Sequence, residues 1–438
     1  MVINKLKFLI LLALLLAPNV WAVPTVQHWQ TKNGARVYFI PVMDLPMVDV
    51  RVVFDAGGAR DAGKAGLALL SNAMLAEGAA GKSAQLLAEE FEAVGARFSS
   101  GALKDMATLS LRSLSAAAYL TPALENLKNI LTQPDFPQTA FKRELERMKI
   151  ALQARKQSPA AIASEAFIKN LYADHPYASP TGGTEQSLNA LRLADIKAYY
   201  KKYYVAKNAV VAVVGQMTRQ QAEQMTNALF ADLPAGERAA PLAAVSPLSA
   251  SKTIRIDFPS KQSHILMGQL GIKRDDKDYF ALYVANHPFG GSGFASRLMS
   301  EVREKRGLVY SIYSFFSPMR LRGPFQLGLQ TRHDQAEQAL DIINAELKKY
   351  VSEGPAEKEL EASLKNISGG FALRVDSNSK LVGYLVMIGF YDMPLDYMNQ
   401  FVGKINSINL EIIKDALKRR LLPDKMLTVI VGPHKTSD

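Results

Sequence analysis

IKAYYKKYYVAKNAVVAVVG, Ile196 to Gly215, returns later in the chain as IKDALKRRLLPDKMLTVIVG, Ile413 to Gly432. Both copies read in the same order: a basic helix carrying Ile-Lys, a short polar break, a continuous apolar strand rich in β-branched residues, and a closing glycine. The offset is 217 residues, and no gap is needed over twenty positions. A helix-strand pair can recur by chance, but ungapped register of this length points to a duplicated half.

The sequence upstream of each copy supports two comparable units. In the first, Val37–Ile40 and Val48–Phe54 pattern as strands, Gly66–Gly78 and Ser83–Val94 as helices, and Ala107–Ser113 as a strand. Long helices follow, broken at Pro122, Pro134, Pro137 and Pro159. The second unit repeats the order, with strands at Thr253–Phe258 and His264–Leu270, a helix from Tyr279, and strands near Val309–Phe316 and Gly323–Gln330. Between them, LPAGERAAPLAAVSPLSASK, Leu233 to Lys252, is rich in Ala, Pro and Ser and reads as a linker. The expected fold is α+β: two homologous halves, residues 23–232 and 253–438, each a mainly antiparallel sheet packed with helices on one side.

Composition bounds the setting. With 438 residues, 48% of them hydrophobic, the chain has enough apolar mass for two cores. Lys5 and Lys7 precede the apolar run Phe8–Ala17 and a small-residue site at Val20-Trp21-Ala22, which predicts a signal peptide over residues 1–22, cleaved after Ala22. Ten apolar residues fall well short of the roughly 20 needed to span a bilayer. Losing Lys5 and Lys7 lowers the formal charge from +11 to +9, and the basic residues are interspersed with acidic ones, so nucleic acid is not an expected partner. The absence of cysteine removes any thiolate nucleophile or ligand and any disulfide framework. Signal and cysteine count together predict the periplasm.

The most informative stretch chemically is HPFGGSGFASRLMSEVREKRGLVYSIYS, His287 to Ser314. Its glycines lead into a helix started by Ser296, but it lacks the Gly-Lys-Ser/Thr ending of a phosphate loop and follows no strand. Along the helix, Arg297, Glu301 and Lys305 are spaced for i,i+4 pairs, and Gly307 suits a C-cap. Arg303 on the last turn and Tyr310 on the strand after the glycine can converge over one opening; Arg306 is the competing arginine. The carboxylates Glu89-Glu90 read as a solvated helix face. The chain lacks Gly-x-Ser-x-Gly and offers no spacing that favours a catalytic triad.

Gly-Gly-Ser-Gly-Phe-x-Ser-Arg-Leu followed by Arg-Glu-Lys-Arg-Gly-Leu-Val-Tyr resembles the C-terminal half of the pitrilysin/insulinase family of zinc peptidases. DHPYASPTGGTEQSLNAL and LADIKAYYKKYYVAKNAVVAVVGQM, from Asp174 to Leu191 and Leu193 to Met217, resemble the same family's first half. The resemblance covers nearly all of the mature chain. It implies two α+β halves facing each other as a clam around a peptide, with Arg303 and Tyr310 binding a substrate carbonyl and stabilising developing charge. Such fixed donors are worth about 3 kcal/mol each when aimed at an oxyanion.

The family's zinc helix carries His-x-x-Glu-His, two ligands one turn apart with the base between them. After the matching Gly66-Leu67-Ala68, those positions hold Leu69, Asn72 and Ala73, none of which can act as ligand or base. The third ligand position falls on Ala151, with Glu144 and Glu146 nearby but off register. His28, His175, His264, His287, His333 and His434 form no local pair, and His175 and His287, each before a proline, read as loop or capping residues.

The resemblance therefore implies a non-catalytic subunit that binds no zinc itself. It would supply Arg303 and Tyr310 to a homologous zinc-bearing partner in a heterodimer that hydrolyses peptides. A stand-alone peptide-binding or scaffold protein of the same fold is the alternative, and an active peptidase with a displaced metal site a third reading.

Overall fold

The computed structural model describes residues 25–433. The signal segment 1–22 and His434 lie outside them. In the first half, apart from the two-residue strands Gly78–Ala79 and Lys82–Ser83, which pair with each other, the strands are β1 (Gln27–Gln30), β2 (Arg36–Pro41), β3 (Met47–Phe54), β4 (Arg97–Ala102), β5 (Ala107–Leu114) and β6 (Ala209–Gly215). They form one sheet in the order β1-β2-β6-β3-β5-β4. In the second half, β7 (Lys252–Asp257), β8 (Gln262–Leu270), β9 (Val309–Phe316), β10 (Pro324–Arg332) and β11 (Leu427–Gly432) form another in the order β9-β10-β8-β11-β7.

The two orders superimpose. The repeated strand β6 pairs parallel with β2 and antiparallel with β3, and β11 pairs parallel with β7 and antiparallel with β8. All other pairings in the two sheets are antiparallel.

The helices of the first half are α1 (Leu67–Met74), α2 (Ala84–Ala93), α3 (Ala117–Thr132), α4 (Gln138–Lys156), α5 (Pro159–Tyr172), α6 (Glu185–Ala190), α7 (Leu193–Tyr203) and α8 (Arg219–Phe230). Those of the second are α9 (Tyr279–Asn286), α10 (Ala336–Glu353), α11 (Glu357–Gly369), α12 (Asn378–Phe390), α13 (Tyr397–Asn406) and α14 (Leu410–Arg420). Helices α7 and α14 begin and end at positions related by the 217-residue offset of the sequence repeat. Pro122, the sixth residue of α3, does not break it: the helix runs on to Thr132 with the one backbone bond that proline cannot make left out. Pro159 stands at the first position of α5, with the Ser158 hydroxyl accepting from the Ala161 N–H at 3.3 Å.

Helices were expected on one side of each sheet; both faces are in fact covered, and the second cover comes from the other half. Val37 and Phe39 of β2, with Val211 and Val213 of β6, face a core made with α1, α3, α7 and α8. The alternate residues Tyr38, Ile40, Val210, Ala212 and Val214 face the opposite way, into a core shared with Leu381, Leu385 and Val386 of α12. Reciprocally, Phe167 and Leu171 of α5 pack on Leu266, Leu270, Val429 and Val431 of the second sheet. The exchange is tied by polar contacts: Arg36 donates to the Gly389 carbonyl at 3.0 Å, and the Tyr172 hydroxyl to the Arg322 carbonyl at 3.0 Å. Buried Asp105 accepts from the Arg320 N–H at 2.8 Å, the Tyr391 hydroxyl at 3.1 Å and the Tyr177 hydroxyl. The halves therefore meet through a common core.

The connecting stretch carries no helix or strand before β7 opens at Lys252, yet it is seated along its length. Ala206 and Lys207 donate their N–H groups to the Pro234 and Ala235 carbonyls, Arg60 donates to the Ala240 carbonyl at 2.7 Å, and Leu242, Val245 and Leu248 pack against the core under α5.

Candidate functional site

Helix α1 begins where Gly66, at φ 91°, turns the chain in. The Asp61 carboxylate accepts the N–H groups of Gly66 at 3.0 Å and Ala68 at 2.8 Å, satisfying donors that a helix start leaves free. Burial pushes Asp61 up to about 7 against the pull of those two amides. Leu67, Leu70 and Met74 are buried, so the packing face foreseen in the sequence is present.

The positions expected in register with a metal helix are ordinary packing positions. Leu69 and Ala73 lie one turn apart and half-buried, while Asn72 is fully buried. The Asn72 amide nitrogen makes two long contacts, 3.3 Å to the Thr108 carbonyl and 3.3 Å to the Tyr204 hydroxyl; its carbonyl oxygen has no partner among the described residues. On α4, Ala151 is exposed, and the two carboxylates near it have other partners: buried Glu144 lies 3.0 Å from Arg147, and exposed Glu146 pairs with Lys149 at 2.8 Å. Among the described residues no group of three His, Cys, Asp or Glu side chains could hold a metal ion. The residues present at Leu69, Asn72, Ala73 and Ala151 do not fit zinc. His175 does cap a turn, accepting from the Tyr177 N–H at 3.0 Å, and His287 bonds to Ser363 and Asn366.

In the second half, α9 runs into a π-helical turn over His287–Gly291, and the helix after Ser296 closes in a second one over Met299–Glu304. Lys305 accordingly donates its N–H to the Ser300 carbonyl five residues back. Single π turns concentrate at functional sites because they re-aim the side chains they carry. Gly290 is needed where the first turn meets β9, since a Cβ there would stand 2.8 Å from the Ser314 nitrogen. Gly307, at φ 64°, caps the helix as expected and donates to the Arg303 carbonyl at 2.8 Å.

Arg303 and Tyr310 come together. The register between β9 and β10 slips between Val309 and Ile312, so Tyr310 and Ser311 both turn outward where strict alternation would bury one of them. Tyr310 is 83% exposed, and the Arg303 guanidinium lies over its ring at 5.6 Å. A third member was not foreseen: Phe294, 68% exposed, presents its ring to the same guanidinium at 4.9 Å. Its signal is an aromatic placed inside the glycine cluster. Arg303 has no ion pair among the described residues, whereas Arg306 is held by the Glu301 carboxylate at 2.9 Å, which separates the two candidates. Of the expected i,i+4 pairs, Glu301–Lys305 forms; Arg297 instead forks onto Glu359 of α11 at 2.6 and 3.2 Å. The arrangement is a half-buried cation framed by two exposed aromatic faces, a group able to bind carbonyls and extended chains.

Comparisons with known proteins bear on the family. A family profile described as Insulinase (Peptidase family M16) matches residues 44–185, and one described as Peptidase M16 inactive domain matches residues 190–367. A crystal structure of a peptidase M16 inactive domain from Pseudomonas fluorescens is similar over 94% of this chain and 99% of its own, at 41% identity and a TM-score of 0.91. A Helicobacter pylori protein named non-peptidase homolog YmxG is 26% identical over 397 residues, 89% of this chain and 90% of its own. A Bacillus subtilis protein named uncharacterized zinc protease YmxG is 24% identical over 93% of this chain and 98% of its own.

Proposed function

The chain belongs to the insulinase (M16) peptidase family, and on that premise we propose that it is a non-catalytic member that binds extended peptides without cutting them. The observation carrying this reading is a contrast: α1 has its packing face with no ligand or base on it, while exposed Tyr310 and Phe294 cluster around the half-buried Arg303 guanidinium. A peptide backbone offers carbonyls to the guanidinium and phenol and apolar side chains to the rings. The edge strand β4, paired only with β5, offers backbone groups for strand addition.

A second reading follows from the exposure of that cluster: it completes a chamber together with a homologous subunit that carries zinc. Because the halves of one chain share a core, a clam-like peptide chamber would be built between two chains. The N-terminal segment directs both readings to the periplasm, and no described helix is long and apolar enough to cross a membrane.

The test is to purify the mature chain and measure zinc content, cleavage of a quenched peptide, and peptide binding by fluorescence anisotropy. Binding without zinc or turnover is expected. Arg303→Ala and Tyr310→Phe should each weaken binding several-fold while leaving stability within about 0.5 kcal/mol, since Tyr310 is exposed and Arg303 has no ion pair among the described residues to lose. Stoichiometric zinc with turnover by the lone chain overturns the proposal. If a zinc-bearing homologue yields turnover only when mixed with this chain, and Arg303→Ala lowers that turnover, the second reading replaces the first.

A further inference from the structure

A cleft of about 930 Å³ opens in the second half between α9, the first π turn, the end of β9 and α11. A smaller one of about 360 Å³ adjoins it, and the two share Arg274, Tyr279, Tyr283 and Arg374. Neither includes Arg303 or Tyr310.

The charges of the larger cleft are unbalanced. Arg274, Lys358 and Arg374 line it, and none has an ion pair among the described residues. Arg274 spends one nitrogen on the Pro318 carbonyl at 3.0 Å, and its buried Nε has no partner among the described residues. Arg374 donates to the Tyr283 hydroxyl and lies 5.7 Å from that ring. The carboxylate in the lining, Glu359, is committed to Arg297 and to the Ala356 N–H at 2.6 Å. His287 adds no charge: burial lowers its pKa, and its ring nitrogens are engaged by Ser363 and Asn366.

Unpaired guanidinium groups beside aromatic faces suit a carboxylate carried on an apolar body, since the planar fork matches a carboxylate in two parallel bonds. Strand β9 connects this cleft to the Arg303 cluster. Tyr310, Tyr313 and Phe315 are exposed along it, the last two stacked at 5.9 Å, and Phe315 forms part of the cleft wall. The backbone edge is closed midway, where Asn286 donates to the Ser314 carbonyl at 2.8 Å, so a ligand would travel over the rings. At about 3.3 Å per residue, five extended residues cover the stretch.

Resting on the peptide-binding reading, we propose that this cleft anchors a carboxylate of the bound peptide, about five residues from the part held by Arg303 and Tyr310.

The probes are four synthetic peptides with one neutral, aromatic-containing body: C-terminally amidated or free acid, each with or without a glutamate near the C-terminus. Binding is followed by anisotropy at low and high salt. The acidic peptides should bind roughly tenfold tighter than the neutral amide, an advantage that shrinks as salt screens it. Comparing the free acid with the amidated glutamate peptide identifies which carboxylate is taken.

Arg374 and Lys358 are exposed, so Arg374→Gln with Lys358→Gln should fold normally, as checked by thermal melting, and abolish the advantage. Arg374→Lys, which keeps the charge and loses the two-bond fork, should keep only part of it. Arg303→Ala should weaken all four peptides alike. Binding that ignores peptide charge, or an acidic preference intact in the double variant, overturns the assignment and leaves the peptide-binding reading standing. Failure of all four peptides to bind removes both.

Discussion

Asn72, where the resemblance to zinc peptidases implies a catalytic base, sits as a fully buried side chain. A buried amide with two 3.3 Å contacts and an unpartnered oxygen is a poor core residue, because an unmade buried hydrogen bond costs about 1–3 kcal/mol. Asn72→Leu alone strips the buried Tyr204 hydroxyl of its Asn72 partner, so the double variant with Tyr204→Phe is the one that should leave stability unchanged or raise it by up to about 1 kcal/mol in urea unfolding. A loss above that would show the amide to be structurally needed.

Asp61, which accepts the first amides of the same helix, gives a pH signature. Burial raises its folded pKa from the ordinary 3.8 to about 7, so the native state holds the proton more tightly. The stability it contributes is full below pH 3.8 and is lost as pH rises through about 7. Asp61→Asn should flatten the dependence of melting temperature on pH across that window; an unchanged slope would assign the dependence to other groups.

Among the elements, the exchanged helices α5 and α12 bear the most weight. Helix α12 reaches the first sheet closely enough that a Cβ on Gly389 would stand 2.5 Å from the Tyr38 ring and 2.6 Å from a Val210 methyl. Gly389→Ala should cost about 1–3 kcal/mol by overpacking, although alanine is the better helix former. A gain in stability on denaturant unfolding would mean that α12 can lift off the sheet.

Strands were legible where apolar residues alternate or run together. β4 was missed because Arg97, Ser99, Ser100 and Gly101 carry no such pattern; β4 holds its place through backbone pairing with β5. The cluster at Arg303 was legible in two of its three members. Phe294 was not, since nothing in a glycine-rich loop says which way a side chain will face.

For the whole molecule, the shared core makes one cooperative unit of two halves. Residues 25–232 expressed alone would leave Tyr38, Ile40, Val210, Ala212 and Val214 without the cover of α12. They should give no sharp thermal transition and little near-ultraviolet circular dichroism, and co-expression with residues 233–438 should restore both. A cooperative transition in the isolated first half would show the exchange to be dispensable.

The duplication, the order of strands and helices, and the absence of ligands at Leu69, Asn72, Ala73 and Ala151 are local properties, written in periodicity and residue type. Even the full burial of β6 has a local trace: Ala209–Gly215 is apolar throughout, as a strand covered on both faces must be. What covers that second face has no local trace. It depends on contacts such as Arg36 with Gly389, 353 positions apart, where the chain pays the entropy of closing a long loop to bury one more apolar face. The same holds for the slip in β9 that turns Tyr310 outward and for the unbalanced arginines of the cleft. A bulge, or a charge without a partner, exists only in relation to neighbours that folding brings together.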